Sequence, residues 1–332
     1  MADLLKLPRV LDGSEIRGFG HFQPERAVSN EELELLMDTS DEWIRRRTGI
    51  VTRHLAATDE TVDLMAAGAA AAAIDDAGVD RSSIDLVIVA TTTADVRCPN
   101  TAGRVAAVLG LDSPAIIDVN TACSGFAYSL ALADQSIRTG SATNAVVIGA
   151  DKLSAVTDWS DRTTAILTAD GAGAAVISGC DESRIGPVAW GSCQGLVDAV
   201  KIGPPSNMFV QQGRDVYRWA ITEAAVQAQR AIDISGLQNA DIEVLACHQA
   251  NLRIIEPLAE QLGLADKIIL ADIADSGNTS AASIPLGLSK WWRSGRIPRD
   301  VPALFFGFGG GFTFAGLVAM TPRQAGGSTT AP

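Results

Sequence analysis

The two halves of this 332-residue chain run through the same order of segments, offset by roughly 155 residues. “IDLVIVATTTAD” from Ile84 and “IEVLACHQAN” from Ile242 both read as buried strands. “AGRVAAVLGL” and “PLAEQLGL” follow, each an amphipathic helix ending in Leu-Gly-Leu. “IIDVNTACSG” then matches “IILADIADSGN”, and “RTGSATNAVVIGA” matches “RSGRIPRDVPALFFG”. Upstream, “AAAAAIDDAGVDRSSID” corresponds to “VQAQRAIDISGLQNADIE”. Each half therefore reads helix, strand, helix, strand, helix, strand. The strands lack period-two alternation, which predicts sheets covered by helices on both faces. The composition agrees: 47% hydrophobic but only 5% aromatic, a core of small aliphatic side chains. The expectation is an α/β protein of two duplicated halves, 1–180 and 181–332.

Within that frame, “DVNTACSGFAYSLAL” carries Cys123 from a strand into a helix expected from about Ser124 to about Arg138. A cysteine taken alone is more often inert packing. Strand ends in such sheets, however, are where binding residues collect, and a helix N-terminus favours negative charge. Together these predict a thiol with a pKa below the free value of about 8.5. The repeat carries Cys123 onto Asn278 in “ADSGNTSAAS”, a second strand-to-helix turn. His248 in “CHQANLRII” ends the strand before it; His21 and His54 are the other histidines. His248 and Asn278 can both donate to one oxygen, and an amide at 278 avoids the repulsion a carboxylate would exert on an enolate. Two chemistries remain open on these residues: Cys–His–Asn hydrolysis and carbon–carbon bond formation through an enolate. The Gly309–Gly311 run could expose a backbone N–H for a second oxyanion hole, beside that of Cys123. A rival nucleophile, Cys193 in “GSCQG”, fits a nucleophile elbow in outline, but “LVDAVKIGPPS” after it is too broken for the required helix.

Other classes find little support. A net charge of −13 argues against a general nucleic-acid or anionic-membrane surface. Cysteines 98, 123, 180, 193 and 247 show no CxxC spacing, so neither zinc nor disulfides are expected. GxGxxG, GxxxxGK[ST] and HExxH are missing, and no bound cofactor or metal is predicted. “TADGAGAAVI” reads as close packing at a turn and strand. Val301–Met320 is uncharged and long enough for a membrane span, but its proline and five glycines predict two buried strands and a glycine turn. “MADLLKLPRVLDG” lacks the apolar region of a signal peptide, so a soluble, cytoplasmic protein is expected, with “QAGGSTTAP” as a disordered tail.

In this order, “NTACSGF”, “HQANLRI”, “SGNTSAAS” and “GFGGGFTFAG” resemble β-ketoacyl-acyl-carrier-protein synthase III of the thiolase-like superfamily. The resemblance runs from about Gly18 to Met320 and takes in “TSDEWIRRRTGI” and “DRTTAILTADGAGAAVI”. It implies a five-layered α-β-α-β-α fold, a homodimer and a ping-pong reaction. Cys123 would take an acyl group from acyl-CoA. Malonyl-carrier protein would then lose CO2, and its enolate would attack the thioester. His248 and Asn278 would hold the malonyl thioester oxygen, and the amides of Cys123 and Gly310 the acyl-thioester oxygen. Trp43 and Arg47 match positions that receive the CoA nucleotide, with Arg162 across the adenine. Arg214, Tyr217 and Asn251 fall in the CoA-binding set, and Arg218 and Arg253 in the docking patch for an acidic carrier protein. Cys98 stands where many members have an aromatic residue limiting acyl length, so a starter longer than acetyl, or branched, is expected. Glu260 and Gln261 replace frequent lysines of the docking patch. Both departures lean toward loading a polyketide starter unit rather than initiating fatty acid synthesis. The alternative is an acyltransferase that moves the acyl group to an alcohol or amine without condensation; a non-catalytic subunit is disfavoured by the three retained polar residues.

Overall fold

The computed structural model describes residues 11–323; the predicted tail and the first ten residues of the signal-peptide reading lie outside them. The first half runs β1 (Gly13–Phe22), β2 (Ala27–Ser29), α1 (Asn30–Glu34), α2 (Asp41–Thr48) and β3 (Thr52–His54). It continues α3 (Val62–Ala77), β4 (Leu86–Ala90), α4 (Thr101–Leu109), β5 (Ala115–Val119), α5 (Gly125–Arg138), β6 (Asn144–Lys152) and β7 (Asp170–Cys180). The second half opens with β8 (Ala189–Ser192), β9 (Val200–Ile202), β10 (Phe209–Gln211), α6 (Gly213–Thr222) and α7 (Ala224–Ser235). It ends β11 (Val244–Cys247), α8 (Leu252–Gln261), β12 (Ile268–Ile269), α9 (Ile273–Ser276), α10 (Ser283–Arg293), β13 (Pro302–Gly309) and β14 (Thr313–Met320).

Two five-stranded sheets result, ordered β1-β7-β6-β4-β5 and β8-β14-β13-β11-β12. In each, the three strands at one end are parallel and the other two antiparallel. The duplication in the sequence is thus a duplication of topology. Alternate residues of β4 point to different layers: Val87 and Val89 pack under α3 and α4, while Leu86 and Ile88 face α5 and α10. Sheet two puts Val244 and Ala246 against the same central helices, and Leu245 and Cys247 under α7 and α8. The order of layers is α-β-α-β-α. Val301–Met320 forms the β13–β14 hairpin, turning at Gly310–Phe312. Among the described residues, no helix is long and apolar enough to cross a membrane.

Two expectations need correcting. β5 is not covered on both faces: as the edge strand, it leaves Ile116 and Ile117 exposed, 43% and 37%. The repeat register at the site also differs by a few residues. Ala122 (φ 46°) and Ser280 (φ 51°) each occupy a left-handed position, open a short 3-10 turn and lead into α5 and α10. The two turns correspond as predicted, but Ala122 pairs with Ser280, so Cys123 pairs with Ala281 rather than Asn278. Each turn is pinned by the opposite half. A Cβ on Gly307 of β13 would lie 2.8 Å from the Cys123 carbonyl oxygen, and one on Gly149 of β6 would lie 2.2 Å from that of Ala281.

Candidate active site

The chain leaves β5, passes the left-handed Ala122 and presents Cys123 one turn before α5. Cys123 is 8% exposed at the floor of a cavity of about 370 Å³ that Asn278 and Gly310 also line. Its thiol donates to the Ser280 hydroxyl at 3.7 Å. The N–H groups of Gly310 and of Cys123 itself face the sulfur and favour its ionised form. A Cβ on Gly309 would come within 2.7 Å of Cys123 Cβ and Sγ, so only glycine leaves room for the sulfur there. The predicted lowering of the thiol pKa does not hold. Burial outweighs the helix end and the facing amides and pushes the thiol up to about 11, so the free protein carries a protonated Cys123.

His248 follows β11 and is buried; its pKa is pulled down to about 3 by burial, leaving a neutral imidazole. Its Nδ1 meets the Ser283 hydroxyl at 2.8 Å, and the same oxygen accepts the Gln249 N–H at 3.3 Å. In the tautomer that carries the ring proton on Nε2, the Ser283 hydroxyl donates to Nδ1. Nε2 is then a donor. Asn278 is oriented similarly: Oδ1 accepts the Ser280 N–H at 2.9 Å, which leaves Nδ2 to donate. Its backbone bridges to Leu167 and Ala169 of the other half. Two neutral, oriented N–H donors suit an oxygen that gains negative charge.

α2 carries the expected aromatic and basic residues Trp43 and Arg47. Ser40 caps it by accepting from the Trp43 N–H, Asp41 and Glu42 sit in its first turn, and Arg45, Arg46 and Arg47 in its last, all matching the helix dipole. Arg47 and Arg162 lie 5.7 and 5.2 Å from the Trp43 ring centre. Arg162 also donates to the Asp38 carbonyl at 2.7 Å. Asn251 is engaged with protein, its Oδ1 capping α8 and its Nδ2 donating to the Arg47 carbonyl. Arg253 lies over Tyr217, 5.4 Å from the ring centre, while Arg214 and Arg218 are exposed on α6. Cys98 is exposed on the loop before α4 and does not line this chain's cavity. Cys193 hydrogen-bonds through its N–H to Phe312 and precedes only a short 3-10 turn, so the elbow reading fails.

Several wall residues escaped the sequence reading. Val197, Val200, Ile202 and Phe209 of the β9–β10 region supply an apolar side, and Thr92, Asn120 and Lys201 a polar one. Asn120 stands at the head of “NTACSGF”; the others carry no motif, and only the fold brings them to Cys123. Among the described residues, no group of three or more histidine, cysteine or acidic side chains could hold a metal ion.

A duplicated five-layered α/β fold that puts a helix-end cysteine and an asparagine on one cavity, with a buried neutral histidine hydrogen-bonded to Ser283 at the start of α10, defines a thiolase-like condensing enzyme. Family models for 3-oxoacyl-[acyl-carrier-protein] synthase III match residues 117–194, and for its C-terminal part residues 232–320. β-Ketoacyl-[acyl-carrier-protein] synthase III 2 of Streptomyces avermitilis is 53% identical, covering 94% of this chain and 100% of its own. Synthase III 4 of Streptomyces coelicolor is 51% identical over 93% and 99%. Among solved structures, the priming β-ketosynthase of the R1128 polyketide pathway superposes with a TM-score of 0.93 at 36% identity, covering 96% of this chain and 99% of that one. The synthase III of Pseudomonas aeruginosa gives 0.89 at 37%, covering 93% and 98%. The chain belongs to the 3-oxoacyl-acyl-carrier-protein synthase III family and is an acyl-transferring enzyme.

Proposed function

We propose that this enzyme loads an acyl group from acyl-CoA onto Cys123 and condenses it, with loss of CO2, onto malonyl-acyl-carrier protein. The observation that carries the reading is the donor set: the Ser280 N–H on Asn278 Oδ1 leaves Nδ2 to donate, and the buried, neutral His248 donates through Nε2 in the tautomer whose Nδ1 accepts from the Ser283 hydroxyl. Decarboxylation puts negative charge on the malonyl thioester oxygen, where two such donors stabilise it; removing one costs about 10²- to 10³-fold in comparable oxyanion holes. The amides of Cys123 and Gly310 serve the acyl-thioester oxygen. No base is needed on an incoming alcohol or amine, which separates condensation from simple acyl transfer.

Trp43 and Arg162 hold the CoA adenine between them, with Arg47, Arg214, Tyr217 and the Asn251 region along the nucleotide and pantetheine. Since Arg162 already stands over Trp43, the base enters as that arginine swings aside. Arg218 and Arg253 are exposed to receive an acidic carrier protein. A second copy of this chain pairs along β5, as its exposed Ile116 and Ile117 on an open sheet edge favour, and brings its Cys98 to the neighbour's acyl pocket. Halves 1–180 and 181–332 act as the units supplying cysteine and donors respectively. Acyl-CoA and carrier protein place the reaction in the cytoplasm. No bound cofactor takes part.

Starter choice is tested by offering a mixed acyl-CoA panel and weighing the adduct on Cys123. Isobutyryl or butyryl adducts ahead of acetyl support the smaller Cys98 and starter-unit loading for a polyketide; acetyl ahead of both contradicts it. Sedimentation at micromolar concentration should give a dimer, and a monomer would remove the partner's Cys98 from the pocket.

A further inference from the structure

Asp151, at the end of β6, is fully buried, yet the reaction as described gives it nothing to do. Its Oδ1 accepts from the Thr92 N–H at 2.8 Å and from the hydroxyls of Thr91, Thr92 and Thr93 at 3.2, 2.9 and 2.9 Å. Oδ2 accepts the Ala281 N–H at 3.1 Å, reaching into the other half beside the turn that holds Ser280. Ser280 is the residue next to Ala281 in that turn, and its hydroxyl favours the ionised form of the carboxyl group against the burial that disfavours it. Two backbone N–H groups, one on each oxygen, mark Asp151 as an acceptor. Ser280 in turn has its N–H fixed on Asn278 and its oxygen 3.7 Å from the Cys123 sulfur. The register that pairs Ala122 with Ser280 pairs Asp151 with Gly309. One half thus has a carboxylate where the other has the gap that accommodates the sulfur.

We propose that Asp151 and Ser280 are positioning residues for Cys123: Asp151 holds the turn through the Ala281 N–H and sets the charge beside it, and Ser280 Oγ accepts the thiol S–H and controls how readily that proton leaves. The pair keeps no proton. During acylation the Cys123 proton leaves Sγ as its bond to the acyl carbon forms, and the CoA sulfur gains one as the old thioester bond breaks. The two residues act on the thiolate with opposite sign. The Asp151 charge repels it, whereas the Ser280 hydroxyl, turned toward sulfur, donates to it. The other titratable groups around the cysteine are His248 after β11, buried and neutral, and Lys201 of β9, which shares the cavity wall and pairs with Asp198 at 3.5 Å.

The inference rests on Cys123 being the nucleophile, but iodoacetamide tests it without acyl-CoA. The rate of alkylation at Cys123, followed by peptide mass against pH, is compared in wild type, Ser280→Ala and Asp151→Asn, with a thermal melt on each. At about pH 9, Ser280→Ala should alkylate roughly tenfold more slowly and Asp151→Asn roughly tenfold faster, a displacement of about one pH unit each way. Variants that both move the same way, or not at all, overturn the proposal, because a purely structural role has no reason to split the sign. Where Asp151→Asn does not fold, Ser280→Ala decides alone: an unchanged or faster rate overturns it. A wild type that alkylates as expected but takes no acyl group from any acyl-CoA would instead defeat the functional reading.

Discussion

Gly309→Ala is the smallest change that should disable the site while leaving the fold. A Cβ there meets Cys123 Cβ and Sγ, both at 2.7 Å, about 1 Å inside the ordinary contact distance of about 3.5–4.0 Å. Gly309 has φ 166°, an extended conformation any residue adopts, so the penalty is steric and falls on the nucleophile. Gly309 is paired with Thr313 of β14, three residues past the stretch of β13 that β11 also holds, and this anchoring limits its retreat. The sulfur must therefore move by a large part of that 1 Å, and displacements of this size cost about 10²-fold in rate. Overpacking should also cost about 1–3 kcal/mol of stability. The control is Gly78→Ala at the end of α3, with φ 61° and nothing within 4 Å of the new methyl. It should lose about 1–2 kcal/mol to backbone strain and acylate at the wild-type rate. Stopped-flow acylation with intact-mass readout and a denaturant melt on both proteins separate the effects. If Gly309→Ala acylates as fast as Gly78→Ala, the steric reasoning is wrong.

His248→Ala and Asn278→Ala should keep acylation of Cys123 and lose condensation by about 10²- to 10³-fold each, as read by product formation after preloading; equal loss in both steps would deny them a role specific to decarboxylation. Trp43→Ala should raise the KM for acyl-CoA about tenfold, the loss expected of a stacking contact of about 1–1.5 kcal/mol, while acylation by an acyl-pantetheine stays unchanged. His21 and His248 have folded-state pKa values of about 4 and about 3, below the ordinary histidine value of about 6.5, mainly through burial. Between those values the unfolded chain binds more protons, so stability should be full above about pH 6.5 and fall as the pH drops toward 4 and then 3. A melting temperature that rises on acidification from pH 6.5 would contradict the burial of these neutral rings.

Much of this could be read from the sequence because the repeat and the motifs sit on local signals. Unalternated apolar runs gave the covered central strands, and short turn motifs marked Cys123, His248 and Asn278. What escaped depends on packing between distant segments. The register at the two turns is set by where β6 and β13 cross the opposite half, not by counting along the chain, and so Asn278 and Cys123 are not true equivalents. The raised thiol pKa has the same origin: a helix N-terminus is visible in sequence, but the burial that outweighs it is not. Asp151 carries no motif: its threonine cluster forms when β4 pairs with β6, and its bond to the Ala281 N–H exists only once the halves join. The exposed face of β5 reads as an interior run because an apolar run does not reveal that its strand lies at the edge of the sheet.

The central claim is that Cys123 carries the acyl group and His248 with Asn278 serve the decarboxylation. Its most direct test is an intact-mass time course: acyl-CoA is added, excess removed, and malonyl-carrier protein then supplied. The account predicts an acyl adduct on wild type and none on Cys123→Ala, followed by discharge with release of CO2 and a β-ketoacyl-carrier protein. On Asn278→Ala, the adduct should form and persist. An adduct that stays on wild type after malonyl-carrier protein is added, or one that forms on Cys123→Ala, would contradict it.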